Sequence, residues 1–182
     1  MRSFEVEKFS QMLSLLKEKS PQSIGNLSNS LLIEPNKIIS VVSSMSKLGI
    51  PVQVYGQSIS LKFKSDFLDS RIIEEQLSDM CRQKKVYLRT FELIDSTNDF
   101  LISEKTDASK IAVVLSEIQT QGRGRRGKFW QSPFGSNIYM SVKWNFDPRE
   151  VSPAGLSLVI GLAVIKALWA NGLRDVKRKW PN

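Results

Sequence analysis

The residues best suited to chemistry lie in one run, Gln121-Gly-Arg-Gly-Arg-Arg-Gly-Lys128. Gly122, Gly124 and Gly127 remove side-chain bulk and permit tight or left-handed turns, so that successive backbone N–H groups can converge on an anion. Arg123, Arg125 and Arg126 add planar, permanently charged forks that match phosphate or carboxylate. The run therefore reads as a loop for a phosphate-bearing ligand. It matches GxGxxG literally, but a dinucleotide fold needs that motif to open a helix directly after a strand, with an acidic residue about 20 positions further on. Here Lys128-Phe-Trp-Gln-Ser-Pro-Phe-Gly135 follows, which is turn and aromatic material. The terminal Lys-Ser/Thr of a P-loop is missing too. A basic RNA-binding loop is an alternative that the run alone leaves open.

Other candidates flank the loop. Asp95-Ser96-Thr97-Asn98 ends a predicted strand, and its short hydroxyl and amide groups suit a small polar ligand. Capping of the next helix by Ser96 or Thr97 explains the same residues and, taken alone, is the stronger reading. Gln119 can donate to and accept from an amide-like group, while Trp130, Phe134 and Tyr139 offer apolar walls. The chain has no histidine, which removes Ser-His-Asp and Cys-His chemistry from these residues. One cysteine, Cys81, permits no internal disulfide, and no Cys/His cluster has zinc-ligand spacing, so no metal site is expected. A formal net charge of +8 fits a phosphate-bearing partner, nucleotide or nucleic acid, although solubility alone also accounts for it.

Three regions must position these groups. Residues 1–64 pattern as a winged helix-turn-helix. Met12, Leu13, Leu15 and Leu16 mark a first helix over Phe9–Lys19, and Ile24, Leu27 and Leu31 a second over Ser23–Leu31. Pro35 opens a third, in which Ile38, Ile39, Val41, Val42, Met45 and Leu48 form the apolar stripe and Gly49 the C-terminal cap. Alternation at Val52 and Val54, then Ile59, Leu61 and Phe63, across Gly56-Gln57, predicts a hairpin wing. The other face of the third helix carries Asn36, Lys37, Ser40, Ser43, Ser44 and Lys47, which suit phosphates and base edges in a major groove. With two lysines and no arginine that face is thinly charged, and a packing or dimerisation role for the region stays open.

Residues 65–84 read as a connector with a helix carrying Ile72, Ile73, Leu77 and Met80 on one face. Residues 85–182 begin an α+β domain, a mixed sheet with helices on one face. Its predicted elements are strands over Val86–Leu93, Ile111–Ile118 and Asn137–Trp144, and helices over Asn98–Glu104 and Pro153–Ala170. Ser157 and Lys166 interrupt the last helix, which falls short of a membrane span and reads as a buried core helix. No secretory signal is visible at the start, and the cytoplasm is the expected compartment.

The segments IDSTND (94–99), SEIQTQGRGRRGKFWQSPFGSNIYMSV (116–142), GLSLVIGLAV (155–164) and VKRKWPN (176–182) together resemble the bifunctional biotin protein ligase and biotin operon repressor family. The order and spacing match that family's class II synthetase-like catalytic domain from its start, and the region before it matches the repressor-bearing class. The resemblance implies a two-step reaction. Biotin's carboxylate attacks the α-phosphate of ATP, with Mg2+ carried by the nucleotide, giving biotinyl-5′-adenylate and pyrophosphate. A lysine of the biotin carboxyl carrier protein of acetyl-CoA carboxylase then takes the biotin. By the same match Ser96, Thr97, Asn98 and Gln119 line the biotin site, and Arg123, Gly124 and Arg125 belong to the ligand-covering loop. Arg125 is the phosphate contact, and Trp130 helps close the pocket. The family also implies a homodimer that forms when the adenylate is bound and then occupies biotin operator DNA.

The sequence ends at Lys179-Trp-Pro-Asn182. In the family an aspartate follows, then a strand bearing an essential lysine, further sheet strands and a small β-barrel domain, so the match is to a chain truncated within the catalytic domain. A second reading is a DNA-binding regulator whose catalytic remnant serves only as a ligand sensor. A sheet cut after three strands is expected to leave an unpaired edge and uncovered apolar surface. The expectation is that residues 1–182 by themselves aggregate readily and, mixed with biotin and ATP, release pyrophosphate only at background rate; robust adenylate formation overturns it.

Overall fold

The computed structural model describes residues 3–62, 66–80, 86–107, 109–146, 149 and 155–177, with the side chains of 3–6, 78–80 and 125 outside that description. It divides into two compact units, Met1–Trp144 and Asn145–Asn182.

The first unit opens with α1 (Ser3–Glu18), β1 (Gln22–Ser23), α2 (Ile24–Leu31), α3 (Pro35–Lys47), β2 (Val52–Tyr55) and β3 (Ser58–Leu61). Local chemistry sets most of these ends. The Ser23 hydroxyl caps α2 by accepting from the Asn26 N–H at 3.1 Å. Pro35 supplies the first residue of α3, where its missing N–H is no loss. Gly49, at φ +79°, closes α3: its N–H donates to Ser46 O at 3.0 Å and the next N–H, of Ile50, reaches Met45 O at 3.0 Å. That left-handed position is why a glycine stands there. β2 and β3 pair antiparallel through the Gly56-Gln57 turn, and β1 adds to the far side of β3. Phe63 of the expected wing lies outside the described residues. In α3 the buried positions are Ile38, Val42 and Met45, with Val41 and Leu48 only partly buried. Ile39, placed in the apolar stripe from sequence, is 45% exposed. It sits about 100° round the helix from Ile38, off the stripe of Ile38, Val42 and Met45 that is buried.

Helix α4 (Ser70–Met80) leads to a three-stranded sheet. Ile73 and Leu77 of α4 are half-buried, but Ile72, expected on the docking face, is exposed; the Met80 side chain lies outside the description. The sheet comprises β4 (Val86–Phe91), β5 (Ile111–Ser116) and β6 (Tyr139–Lys143), in the order β4-β5-β6. β4 and β5 run parallel, joined by the crossover helix α5 (Thr97–Ser103), while β6 is antiparallel to β5. The sheet is therefore mixed. The central strand reads IAVVLS; Ala112 and Val114 on the α5 face are fully buried, while Ile111 and Val113 on the other face are only partly so. Leu101 of α5 packs with Ala112 and Val114, and Phe91 meets Phe100 edge-on at 4.9 Å between ring centroids. Lys143 of β6 donates to Leu101 O and Glu104 O, closing the C-terminal end of α5. On its opposite face β6 shows Met140 and Val142 half to the outside, and among the described residues its outer edge pairs with no strand. No described helix is long and apolar enough to cross a membrane.

In the second unit α6 spans Leu156–Ala170, starting later than expected; Pro153 lies outside the described residues. Gly172, at φ +87°, closes it with Leu173 N–H on Leu168 O. Its residues are apolar on every side, yet none is buried, against the expectation of a buried core helix. A helix apolar all round needs partners all round, and the described residues 155–177 hold no second element to provide them.

Within the first unit the core runs unbroken from Phe9, Met12, Leu13 and Leu16 through α2 and α3 to Leu93, Ile118 and Phe134 beside the sheet. One ionic cluster crosses the same boundary. Lys17 Nζ, in the last turn of α1, donates to both Glu92 carboxylate oxygens at 3.1 and 2.9 Å and to Glu117 Oε1 at 3.1 Å. Burial raises the Glu92 carboxyl above its ordinary value of 4.5; Lys17 opposes this and the Glu117 charge adds to it. A raised folded-state value means that Glu92 contributes stability below pH 4.5 and loses it as pH rises through the raised value. Carboxyl NMR titration is expected to place Glu92 above 4.5, and Glu92→Gln to remove that component of the pH dependence from unfolding curves.

Candidate functional site

The parallel pairing of β4 with β5 does not stop where the strands do. Glu117 N–H donates to Phe91 O at 3.0 Å, Ile94 N–H to Ile118 O at 3.2 Å, Thr120 N–H to Ile94 O at 3.0 Å and Gln121 N–H to Asp95 O at 2.8 Å. Two irregular segments, 91–95 and 117–121, are thereby held side by side beyond the C-terminal strand ends. That is the edge of an open α/β sheet where ligands bind. The first segment runs into Ser96, Thr97 and Asn98, the second carries Gln119.

Ser96 is the N-cap of α5, its hydroxyl accepting from Asp99 N–H at 3.2 Å, so the capping role read from sequence is present. Thr97, 3% exposed, does more. Its N–H and hydroxyl both donate to Gln119 Oε1, at 2.9 and 3.1 Å, and its hydroxyl lies 2.8 Å from that of Ser141 in β6. With the Gln119 carbonyl oxygen turned to Thr97, its amide N–H2 remains as a donor. Gln119 therefore presents donors and Ser141 a hydroxyl in a concavity that Trp130, Ile138, Tyr139 and Met140 also line. Such a pairing suits a ligand with a planar amide- or urea-like head on an apolar body.

These side chains line a concave pocket of about 370 Å3. Ser96, Thr97, Asn98 and Gln119 line it, with Arg123 and Trp130 from the loop. Tyr139 and Ser141 enter from β6 with Ile138 and Met140. Tyr139 is buried, its hydroxyl donating to Pro133 O at 2.8 Å. Phe134, considered as a wall, instead sits in the core, its ring 5.5 Å from that of Phe67. Ser141 was not singled out from sequence: a serine in a strand has no signature until β6 pairs antiparallel with β5 and its hydroxyl meets that of Thr97 at the start of α5.

The arginine-glycine loop folds back on itself. Arg123 and Phe129 form an isolated antiparallel bridge around a 3-10 turn over Arg125–Gly127. Gly124 N–H donates to Lys128 O at 3.0 Å, and a Cβ at Gly124 would lie 2.6 Å from that oxygen, so glycine is required there by close approach. A Cβ at Gly122 would lie 2.5 Å from Trp130 Cδ1, which makes Gly122 the seat of the indole. Arg123 forms an ion pair with Asp99 of α5, tying the loop to the helix that carries Asn98. The Arg125 backbone lies in the turn, but its side chain lies outside the description.

The six residues proposed from sequence to face DNA all lie on α3. Asn36, Lys37, Ser40, Ser43 and Lys47 are exposed and Ser44 is half-buried. The hydroxyls of Ser40 and Ser44 donate to Asn36 O and Ser40 O one turn back, which leaves them as acceptors toward a partner. Among the described residues no group of three or more His, Cys, Asp or Glu side chains is placed to hold a metal ion.

Residues 90–182 match the biotin/lipoate A/B protein ligase family. The bifunctional ligase/repressor BirA of Salmonella typhimurium is 32% identical over 172 residues, covering 94% of this chain and 52% of that protein. A biotin acetyl-CoA-carboxylase ligase of Mycobacterium tuberculosis is 34% identical over 124 residues, 63% of this chain and 45% of that one. This chain thus spans about half the length of these relatives. A solved biotin protein ligase from Aquifex aeolicus, in complex with biotin and ATP, has a TM-score of 0.45 at 32% identity, covering 53% of this chain and 40% of its own.

Thr97→Val, which keeps the shape and removes the hydroxyl, leaves Gln119 with one partner fewer and Ser141 with none from α5. It is expected to cost about 1–2 kcal/mol in thermal or denaturant unfolding; a loss below a few tenths would show that the three side chains do not act together.

Proposed function

This chain belongs to the biotin/lipoate A/B protein ligase family, and on that premise we propose that its pocket takes biotin and that the loop over it takes the phosphates of ATP. The observation that carries the reading is the convergence of Ser96, Thr97, Asn98, Gln119, Arg123 and Trp130 on one concavity. The ureido head of biotin is planar, with one carbonyl and two N–H groups. The amide of Gln119 and the hydroxyls of Ser96, Thr97 and Ser141 complement it, while Trp130 and Tyr139 cover its apolar body.

In the whole protein the biotin carboxylate and the ATP α-phosphate, both anions, would have to meet. Arg123 and Arg125 offset their repulsion and the charge that builds on the phosphorus. Arg125 is the proposed phosphate contact, and Gly124 lets the loop approach it. Closure of the loop shields the adenylate from water. Mg2+ would arrive on the nucleotide. The proposed acceptor is a lysine of a biotin carboxyl carrier protein, in keeping with the name of the mycobacterial relative.

A second role rests on a different observation. α1, α2 and α3 followed by the β2–β3 hairpin have the element order of a winged helix, and α3 turns Asn36, Lys37, Ser40, Ser43, Ser44 and Lys47 away from its buried stripe. We propose residues 1–64 as an operator-binding domain, 65–84 as a connector and 85–182 as the start of the ligase domain. The protein would act in the cytoplasm as a biotin-responsive repressor, a homodimer when adenylate-bound, a role in keeping with the name of the Salmonella relative. The narrower alternative is a DNA-binding regulator in which the pocket only senses ligand.

Calorimetry decides the central point. Biotin is expected to bind the chain, with Gln119→Ala weakening it at least tenfold, since an unpaired polar group of the ligand is then buried. Salt-sensitive RNA binding that is lost in Arg125→Ala and indifferent to biotin would overturn the reading.

A further inference from the structure

The two carboxylates of the buried Lys17 cluster lie on the segments that lead to the pocket. Glu92 stands four residues before Ser96, on the segment that leaves β4; Glu117 stands two residues before Gln119, on the segment that leaves β5. These are the two segments whose backbones pair, and they carry Thr97 and Gln119 into the lining of the pocket. One ammonium group from α1 grips both, at 2.9–3.1 Å from three oxygens, and lies 4.7 Å over the Phe67 ring. The side chains of Lys17 and Glu117 are 11% and 4% exposed. Glu117 Oε1 also accepts from Leu68 N–H at 2.7 Å, so the connector is held at the same point.

Without the cation, two carboxylates would face each other in a desolvated site, where like charges repel strongly and only separation or protonation relieves them. Separation would pull apart 92–97 and 117–119. The hydrogen bonds of Thr97 to Gln119 span that gap.

We propose that Lys17 is a positioning residue for the ligand pocket: from α1 it clasps Glu92 and Glu117 and so sets the distance between Thr97 and Gln119. The N-terminal helices and the pocket are then energetically coupled through a single ammonium. The inference rests on the biotin reading only for the identity of the ligand.

The test compares the chain with K17M, K17M/E92Q and E117Q. Biotin affinity is measured by calorimetry, and the resonances of the Thr97 N–H and the Gln119 side-chain amide are recorded without ligand. K17M is expected to weaken biotin about tenfold, within the range of coupling found inside one hydrogen-bond network, and to shift both resonances. K17M/E92Q, which removes the opposed charge, is expected to recover most of the affinity and the original shifts. E117Q, which keeps the acceptor for Leu68 but weakens the grip of Lys17, is expected to show a smaller change in the same direction; it carries the comparison if K17M does not fold. Lower thermal stability with unchanged affinity and unmoved resonances in the folded variants would make the cluster a structural ion pair and overturn the proposal. If the parent chain binds no biotin, the ligand reading fails separately, and the ligand-free resonances still decide the positioning role: shifted upholds it, unmoved overturns it.

Discussion

The parallel pairing of β4 with β5 is the constraint on which the rest of the first unit depends. Parallel strands cannot be joined by a tight turn, so the chain must cross over through α5 and return. That crossover puts the start of α5 beside the end of β5. Ser96 and Thr97 then come next to Gln119, though 22 residues separate Thr97 from Gln119 in sequence. The continuation of pairing past the strand ends, by way of Ile94 and Gln119, holds both segments at a fixed spacing. Ser141 completes the arrangement only because β6 pairs on the other side of β5 in a register that sets it opposite Val114.

Charge is handled differently in the buried and exposed parts of this unit. Lys17, Glu92 and Glu117 are largely out of water, where loss of the single cation leaves two carboxylates uncompensated and is costly. Arg123 and Asp99 are both well exposed, so their pair is screened and weak. The first arrangement fixes a frame, whereas the second holds its loop only lightly. The glycine-rich loop shows the same economy of purpose: Gly122 and Gly124 stand where a Cβ would collide with Trp130 or the Lys128 carbonyl, while the turn itself uses Arg126 at φ 59° and Gly127 at φ 71°.

Much of the local architecture was legible from residue types. Pro35 announces a helix start, Gly49 announces a helix end, and the alternation about Gly56-Gln57 announces a hairpin, because each depends on neighbours within about five residues. The side chains of Ser96, Thr97, Asn98, Gln119, Arg123 and Trp130, grouped from motif and resemblance, line one concavity. The exposure of Ile39 and Ile72 and the lack of burial along α6 were not foreseen, since helical spacing says which residues share a face but not which face meets a partner.

Sequence by itself therefore determined the elements, the glycine-arginine loop and the family to which the chain belongs. Tertiary structure alone decided three things. Ser141 joins Thr97 and Gln119; Asp99 holds Arg123; and Lys17, from the first helix, binds carboxylates 75 and 100 residues away. The reason is physical. Propensity, capping and turn geometry act over a few residues of chain, whereas a hydrogen bond or an ion pair depends only on distance in space, and that distance exists only once the parallel strands have paired.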